Sequence, residues 1–178
     1  MKYYKYIDLD WKPARDKILE VLKEEPTLFS HAKVHTVGSW VDLTEKFHHI
    51  PEIHNMFRPF NLDISIIAFY VSYHNSSIHI DSAPDYISRI IFPILNCDNT
   101  ETKFFEKLEE PVKLTQPNGE IFYRLDPVKC KHVDSFFLTQ PVAFRVLEPH
   151  QVCIYHLNRP RISCIIEFQQ DINYLIDE

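Results

Sequence analysis

Two His-x-Asp triplets stand in this chain, His79-Ile80-Asp81 and His132-Val133-Asp134. On a β-strand, residues i and i+2 point to one face, so each triplet can aim an imidazole nitrogen and a carboxylate oxygen at one metal ion. Two histidines and one carboxylate on one face of an octahedral ion, with the opposite face open, is the donor set of non-haem Fe(II) oxygenases. The triplet by itself is weakly specific: with 10 histidines and 25 acidic residues, about one is expected by chance. A third ligand must come from a distant strand. After His79 the chain offers His132, His150 and His156; after His132 it offers only His150 and His156, within one or two strands. That leaves too little chain to build a barrel between the ligands, so the first triplet is the better candidate.

Other residues are weaker candidates. His48, His49 and His54, in the run HHIPEIH, lack the i, i+4 spacing and the His-Glu-x-x-His pattern of a helical zinc site, and read as a solvated helix edge. His74 precedes the candidate ligand strand and either lines the mouth of a site or faces solvent. Arg89 and Asn96 are low-grade candidates for substrate contact. Phe104, Phe105, Phe136, Phe137 and Phe144 read mostly as core, because adjacent strand residues point to opposite faces. Cys97, Cys130, Cys153 and Cys164 contain no Cys-x-x-Cys pair, so neither a zinc ribbon nor a thioredoxin motif is expected; buried free thiols are.

The elements that must position these groups are mostly strands. Lys2 to Leu9 alternates weakly and predicts a first strand, with Asp10 as N-cap of a helix over Ala14 to Glu24 that Pro26 ends. Asp42 to Phe57 predicts a second helical region, opened by a capping box of Asp42 and Glu45 and broken by Pro51. From Leu62 onward, short runs rich in Ile, Val, Phe and Tyr are separated by Asn, Asp, Pro and Ser clusters, the rhythm of a sandwich or barrel. With only Gly38 and Gly119 available, the turns must be built from Pro, Asn and Asp. The expectation is one domain over 1–178: a strand and helical support region over 1–60, then a double-stranded β-helix, or jelly roll, over 61–170, with the helices outside one sheet.

The stretches IHIDSAPDYISRIIFPILNCDNTETKFF and EPHQVCIYHLNRPRISCIIEF resemble the paired motifs of the iron(II)/2-oxoglutarate-dependent oxygenases, especially compact members related to prolyl and aspartyl hydroxylases. The former is similar to a strand ending in His-x-Asp, then an Ile-Pro-Ile strand, an Asn and a Thr-containing turn. The latter is similar to a Pro-His-x-Val opening with an Arg about ten residues later. The resemblance runs from about Leu62 to Phe168. It implies iron on His79, Asp81 and His150, the spacing favouring His150 over His156, and the far carboxylate of 2-oxoglutarate on Arg161. A planar, always-charged, bidentate donor suits that task. Ser163, on the same face, offers a second hydrogen bond, and Tyr70 matches a position where relatives place a hydroxyl contact. A tight regular hairpin would leave His150 out of register with Arg161, so a wide loop or bulge is expected between them. The implied activity is hydroxylation coupled to oxidative decarboxylation of 2-oxoglutarate, with Fe(II) as cofactor and O2 as cosubstrate.

Composition limits the partners. A formal charge of −6 gives no basic footprint for duplex nucleic acid, and no apolar run approaches the ~20 residues that span a bilayer. No signal-peptide core stands at the N-terminus, which makes a cytoplasmic protein the expectation. The substrate class left open is a small molecule, an amino-acid side chain in a protein or a modified nucleotide, with duplex nucleic acid least favoured. Because fold does not fix function, a cupin-like metal-binding isomerase or sugar-binding module indifferent to 2-oxoglutarate, or a non-catalytic jelly roll, are the competing readings.

Overall fold

The computed structural model describes residues 2–29, 39–81, 88–115, 121–155 and 159–177. Among them the order is β1 (Tyr4–Tyr6), α1 (Lys12–Glu24), β2 (Ser39–Asp42), α2 (Thr44–Phe47), α3 (Pro51–Phe57), β3 (Ile64–Ser72), β4 (His79–Asp81), β5 (Ser88–Leu95), β6 (Thr100–Lys107), β7 (Val112–Thr115), β8 (Ile121–Arg124), β9 (Cys130–Phe137), β10 (Val142–Arg145), β11 (His150–Ile154), β12 (Arg161–Phe168) and α4 (Tyr174–Asp177). The strands form two antiparallel six-stranded sheets, ordered β1-β10-β5-β12-β3-β2 and β7-β8-β4-β11-β6-β9. Consecutive strands alternate between the sheets from β3 to β6, as a double-stranded β-helix requires. The expected mainly β architecture is therefore present, with helices packed outside the first sheet.

That packing follows from strand alternation. In β12, Ile162, Cys164, Ile166 and Phe168 face the helices, where with Ile67, Phe69 and Val71 of β3 they enclose Ile18, Phe47, Ile53 and Phe57. Each such side chain contributes about 1.5–3 kcal/mol when fully buried. The alternate residues Arg161, Ser163, Ile165 and Glu167 turn toward the second sheet, where Ile91, Phe104, Phe136, Val142, Phe144 and Ile165 form the inner core. Phe104 is buried on that inner face and Phe105 lies on the other; likewise Phe136 is buried and Phe137 exposed.

Several local expectations change. The first strand is three residues rather than Lys2 to Leu9, because β10 offers Tyr4, Lys5 and Tyr6 only three partners. Trp11, not Asp10, is the N-cap of α1, without a side-chain cap bond. Leu43, not Asp42, precedes α2; Asp42 Oδ1 instead accepts from the backbone N–H and hydroxyl of Thr44, so the capping box does not form. Pro51 does divide the helical region and opens α3. The short edge strands β2 and β7 were hidden in the sequence, each being four residues long and mostly unburied. Asn61 and Asn96 take left-handed backbone at φ 52° and 53°, so asparagine does supply turns. Gly38 and Gly119 lie outside the described residues.

The wide loop or bulge expected between His150 and Arg161 answers a problem that does not arise. β11 and β12 are not hairpin partners; they belong to different sheets, so no shared register links the two residues. A register shift does occur elsewhere, between Ile162 and Ser163 where β12 meets β5. Ser163 there faces Pro93, which has no N–H to give the ladder. No described helix is long and apolar enough to cross a membrane.

Candidate metal centre

The pairing of β4 with β11 sets His150 directly opposite His79, and the i, i+2 spacing puts Asp81 on the same face. Asp81 Oδ1 lies 3.3 Å from His79 Nε2 and 4.0 Å from His150 Nε2. One ligand atom from each of the three residues falls within 4.8 Å of the others. Three donors at ~2.1 Å on one octahedral face sit about 3 Å apart, so a small contraction would close this set on an ion.

Each imidazole is already aimed. His79 Nδ1 is 2.9 Å from the Ser77 carbonyl oxygen, and His150 Nδ1 is 2.9 Å from that of Glu148. Donation from Nδ1 fixes the tautomer that leaves Nε2 with a lone pair for the metal. Burial lowers the pKa of His150 to about 4, with His79 adding to the effect, so this imidazole is neutral at physiological pH. Burial is the largest single influence on His79 and opposes its charged form, but the hydrogen bond and the charge of Asp81 together with the Ser77 carbonyl outweigh it, and the pKa is raised. Asp81 shows the converse: burial disfavours ionisation, yet His79, His150 and Arg89 hold its carboxyl well below the usual carboxylate range.

Arg89 is part of this centre in a way the sequence did not indicate. Its Nη1 lies 2.5 Å from Asp81 Oδ2 and its Nε 2.5 Å from Glu167 Oε1, while its guanidinium stacks 4.9 Å from the Trp40 ring centroid. With Oδ2 held by Arg89, Asp81 presents only Oδ1 to the two imidazoles. Arg89 is thus occupied in positioning a candidate ligand. Asn96, the other low-grade candidate, donates from Nδ2 to the Pro160 carbonyl at 2.8 Å and secures a turn.

On the facing sheet, the β12–β3 ladder pairs Arg161 with Ser72 and Ser163 with Tyr70, so Arg161, Ser163 and Tyr70 share the inner face. Arg161 is 1% exposed. Its Nε donates to Thr100 Oγ1 at 3.3 Å, but among the described residues Nη1 and Nη2 have no hydrogen-bond partner, nor has Ser163 Oγ. No carboxylate among those residues pairs with Arg161. Burial lowers its pKa, and burial likewise pushes the Tyr70 hydroxyl up to about 12, keeping it a neutral donor. A buried cation with both terminal nitrogens unpaired costs several kcal/mol unless an anion reaches it. The cluster is chemically fitted to a carboxylate.

The remaining sequence candidates separate cleanly. His132 and Asp134 lie on the edge strand β9, whose exposed and half-exposed positions bring no second histidine to them among the described residues. His48 and His54 meet edge to face at 4.7 Å, and His54 Nε2 meets the His48 carbonyl oxygen at 2.7 Å, without forming a metal-ligand cluster among the described residues. His74 is exposed. Cys97, Cys130, Cys153 and Cys164 are free thiols, Cys130 only half-buried. His156, the rival to His150, lies outside the described residues. Arg89 was read as a substrate contact rather than as a partner of Asp81, and Glu167 was missed, because their meeting depends on β12 crossing beside β5, although an acidic residue inside the apolar run ISCIIEF was a signal.

The architecture has a solved counterpart. The epimerase SnoN, crystallised in complex with Fe3+, alpha ketoglutarate and nogalamycin RO, aligns over 99% of this chain and 85% of its own with a TM-score of 0.53 and 12% identity. This chain has that fold. Identity so low carries the likeness no further than the fold. The E. coli protein ycfD aligns over 83% of this chain with a TM-score of 0.47 and 13% identity, and the chain spans only 38% of its length. A Pseudomonas putida prolyl-4-hydroxylase aligns over 96% of this chain and 94% of its own, with a TM-score of 0.40 and 11% identity. No protein-family model and no curated protein matches the sequence.

Proposed function

We propose that this protein is an Fe(II)- and 2-oxoglutarate-dependent oxygenase, a hydroxylase acting on a small molecule or an amino-acid side chain in the cytoplasm. His79, Asp81 and His150 would hold the iron, and Arg161, Ser163 and Tyr70 the far carboxylate of 2-oxoglutarate. The observation that carries the reading is Arg161, a cation 1% exposed with Nη1 and Nη2 unpartnered among the described residues, on the inner face opposite the triad. A metal-binding isomerase or sugar-binding module indifferent to 2-oxoglutarate has no use for such a group, and its cost would select against it.

When bound, iron with 2-oxoglutarate and O2 supplies the oxidising power for C–H hydroxylation. The chain's own residues supply orientation and enclosure. Arg89 keeps the second oxygen of Asp81 engaged, so the carboxylate contributes one donor and leaves the open face free. Phe104 and Phe144 pack their rings 6.3 and 5.8 Å from that of His150 and exclude water behind it. The net charge of −6 disfavours duplex nucleic acid as the substrate.

The test is spectroscopic. Anaerobic addition of Fe(II) and 2-oxoglutarate should give the weak visible charge-transfer band of a chelated complex, lost in Arg161→Ala and in His79→Ala. Metal binding with no band at saturating 2-oxoglutarate would overturn the reading.

A further inference from the structure

One row of residues runs straight across the inner face of the second sheet. His150 of β11 faces His79 of β4, His79 faces Arg124 of β8, and Arg124 faces Val112 of β7. Residues directly opposed in an antiparallel ladder project from the same face with their Cβ atoms about 5 Å apart. Arg124 therefore projects from the face that carries the triad, one strand beyond His79. Val112 follows it on the edge strand, and Leu114 occupies the same face one pleat along.

Arg124 is exposed and, among the described residues, makes no side-chain hydrogen bond, ion pair or ring contact, although acidic residues outnumber basic ones 25 to 19. Some exposed cations elsewhere find acids, as Lys17 does with Glu20 and Lys129 with Glu109, and others, such as Lys12, Lys23 and Arg58, pair with none among the described residues. What sets Arg124 apart is its place directly opposite His79 on the face of the triad. Of the other arginines on the inner faces, Arg89 is paired with Asp81 and Glu167, and Arg161, buried on the facing sheet, is the one proposed above for 2-oxoglutarate. Val112 is 63% exposed and Leu114 half-buried, so the inner face past the triad is an apolar shelf bearing an unpaired cation.

We infer that Arg124, Val112 and Leu114 form the substrate side of the metal centre and select an organic acid: an apolar body on the shelf with its carboxylate on Arg124. The inference rests on the oxygenase reading for what happens next to the triad, but the recognition itself is a matter of charge and apolar area. The guanidinium gives a planar, bidentate grip on a carboxylate, which an amide of the same shape cannot match. The C–H to be oxidised then belongs to the apolar body, held toward His79 rather than toward the sheet edge.

The test uses the full chain loaded with Mn(II) and saturating 2-oxoglutarate, with paramagnetic broadening of probe proton signals reporting binding near the metal. The probes are hexanoate, octanoate and hydrocinnamate, each paired with its primary amide. Wild type should bind at least one acid about tenfold or more tightly than its amide. Arg124→Gln should abolish that preference while leaving the amide within about twofold, and Arg124→Lys should restore part of it. Val112→Glu should weaken the same acid further, by repulsion and loss of apolar contact. An acid preference absent across the whole panel, or retained in Arg124→Gln, overturns the inference. Water relaxation in the same samples reports 2-oxoglutarate binding to the Mn(II) protein. If wild type shows none, the oxygenase reading falls and takes this inference with it; if that binding is intact in wild type and in Arg124→Gln, a missing acid preference overturns this inference alone.

Discussion

Replacing Arg161 by methionine should make the ligand-free protein more stable. The guanidinium is 1% exposed, with both terminal nitrogens unpartnered among the described residues and one long bond from Nε to Thr100 Oγ1 at 3.3 Å. An uncompensated buried charge costs about 3–5 kcal/mol, and methionine fills much of the same volume with no charge. Losing the Thr100 bond returns about 1 kcal/mol. The net gain is about 2–4 kcal/mol, which for a chain of 178 residues is a rise of about 5 °C or more in melting temperature. The ligand effect runs the other way. In wild type loaded with Mn(II), 2-oxoglutarate at a hundred times its Kd should add about 2.7 kcal/mol, and in Arg161→Met it should add nothing. Thermal unfolding of both proteins with and without 2-oxoglutarate reads all four values. A variant that melts below wild type without ligand would refute the reasoning, because Arg161 would then be compensated already and would not be waiting for an anion.

His79→Ala and Asp81→Ala should each weaken Mn(II) binding by more than about 100-fold, beyond what groups that only orient a ligand contribute, while Ile80→Ala on the opposite face leaves it unchanged in titration calorimetry. Arg89→Met strands Glu167, 2% exposed, and should cost about 3–5 kcal/mol in urea denaturation, about half of it recovered by adding Glu167→Gln. For His150, whose folded pKa falls from 6.5 to about 4, the unfolded chain binds the extra proton between those values. Its contribution is present above pH 6.5 and lost as pH falls toward 4, a change of about 3 kcal/mol. His150→Gln should therefore flatten the acid limb of the metal-free stability profile. His79, raised instead, contributes stability below its unfolded pKa that is lost as pH rises through the folded one, so His79→Gln should flatten the opposite limb. Ser163→Ala, removing a buried hydroxyl without a partner among the described residues, should leave stability within about 1 kcal/mol and weaken 2-oxoglutarate binding several-fold.

Much of the fold was legible because it rests on local alternation. The runs ISIIAFYVS, SRIIFPIL and RISCIIEF became β3, β5 and β12, neighbours at the middle of the first sheet, since only a strand can present one apolar face to helices while its alternate side chains turn inward. Edge strands were illegible for the complementary reason: β2 and β7 bury too little for their composition to differ from a loop. The caps failed at Asp10 and Asp42 because each side chain lies one residue before the true cap, a distance within which local propensity cannot discriminate.

The triad was half legible. His79 and Asp81 share a face by backbone geometry alone, whatever the rest of the chain does. Their meeting with His150 depended on β11 lying beside β4, a pairing of residues far apart in sequence that no local rule dictates. The same holds for Arg161 with Ser163 and Tyr70: spacing put the first two on one face, and the β12–β3 ladder brought the third. Side-chain chemistry and the period of two are local properties, so the inventory of candidate metal donors and candidate carboxylate binders, and the strand parity that sorts them inward, could be read from the order of residues alone. Which donors are engaged and which are left waiting emerged only once the sheets had assembled. Arg89 is locked to Asp81 and Glu167, while Arg161 and Arg124 stand without a counter-ion among the described residues. Charge compensation is a matter of distance across sheets, and distance across sheets is set by pairing and packing.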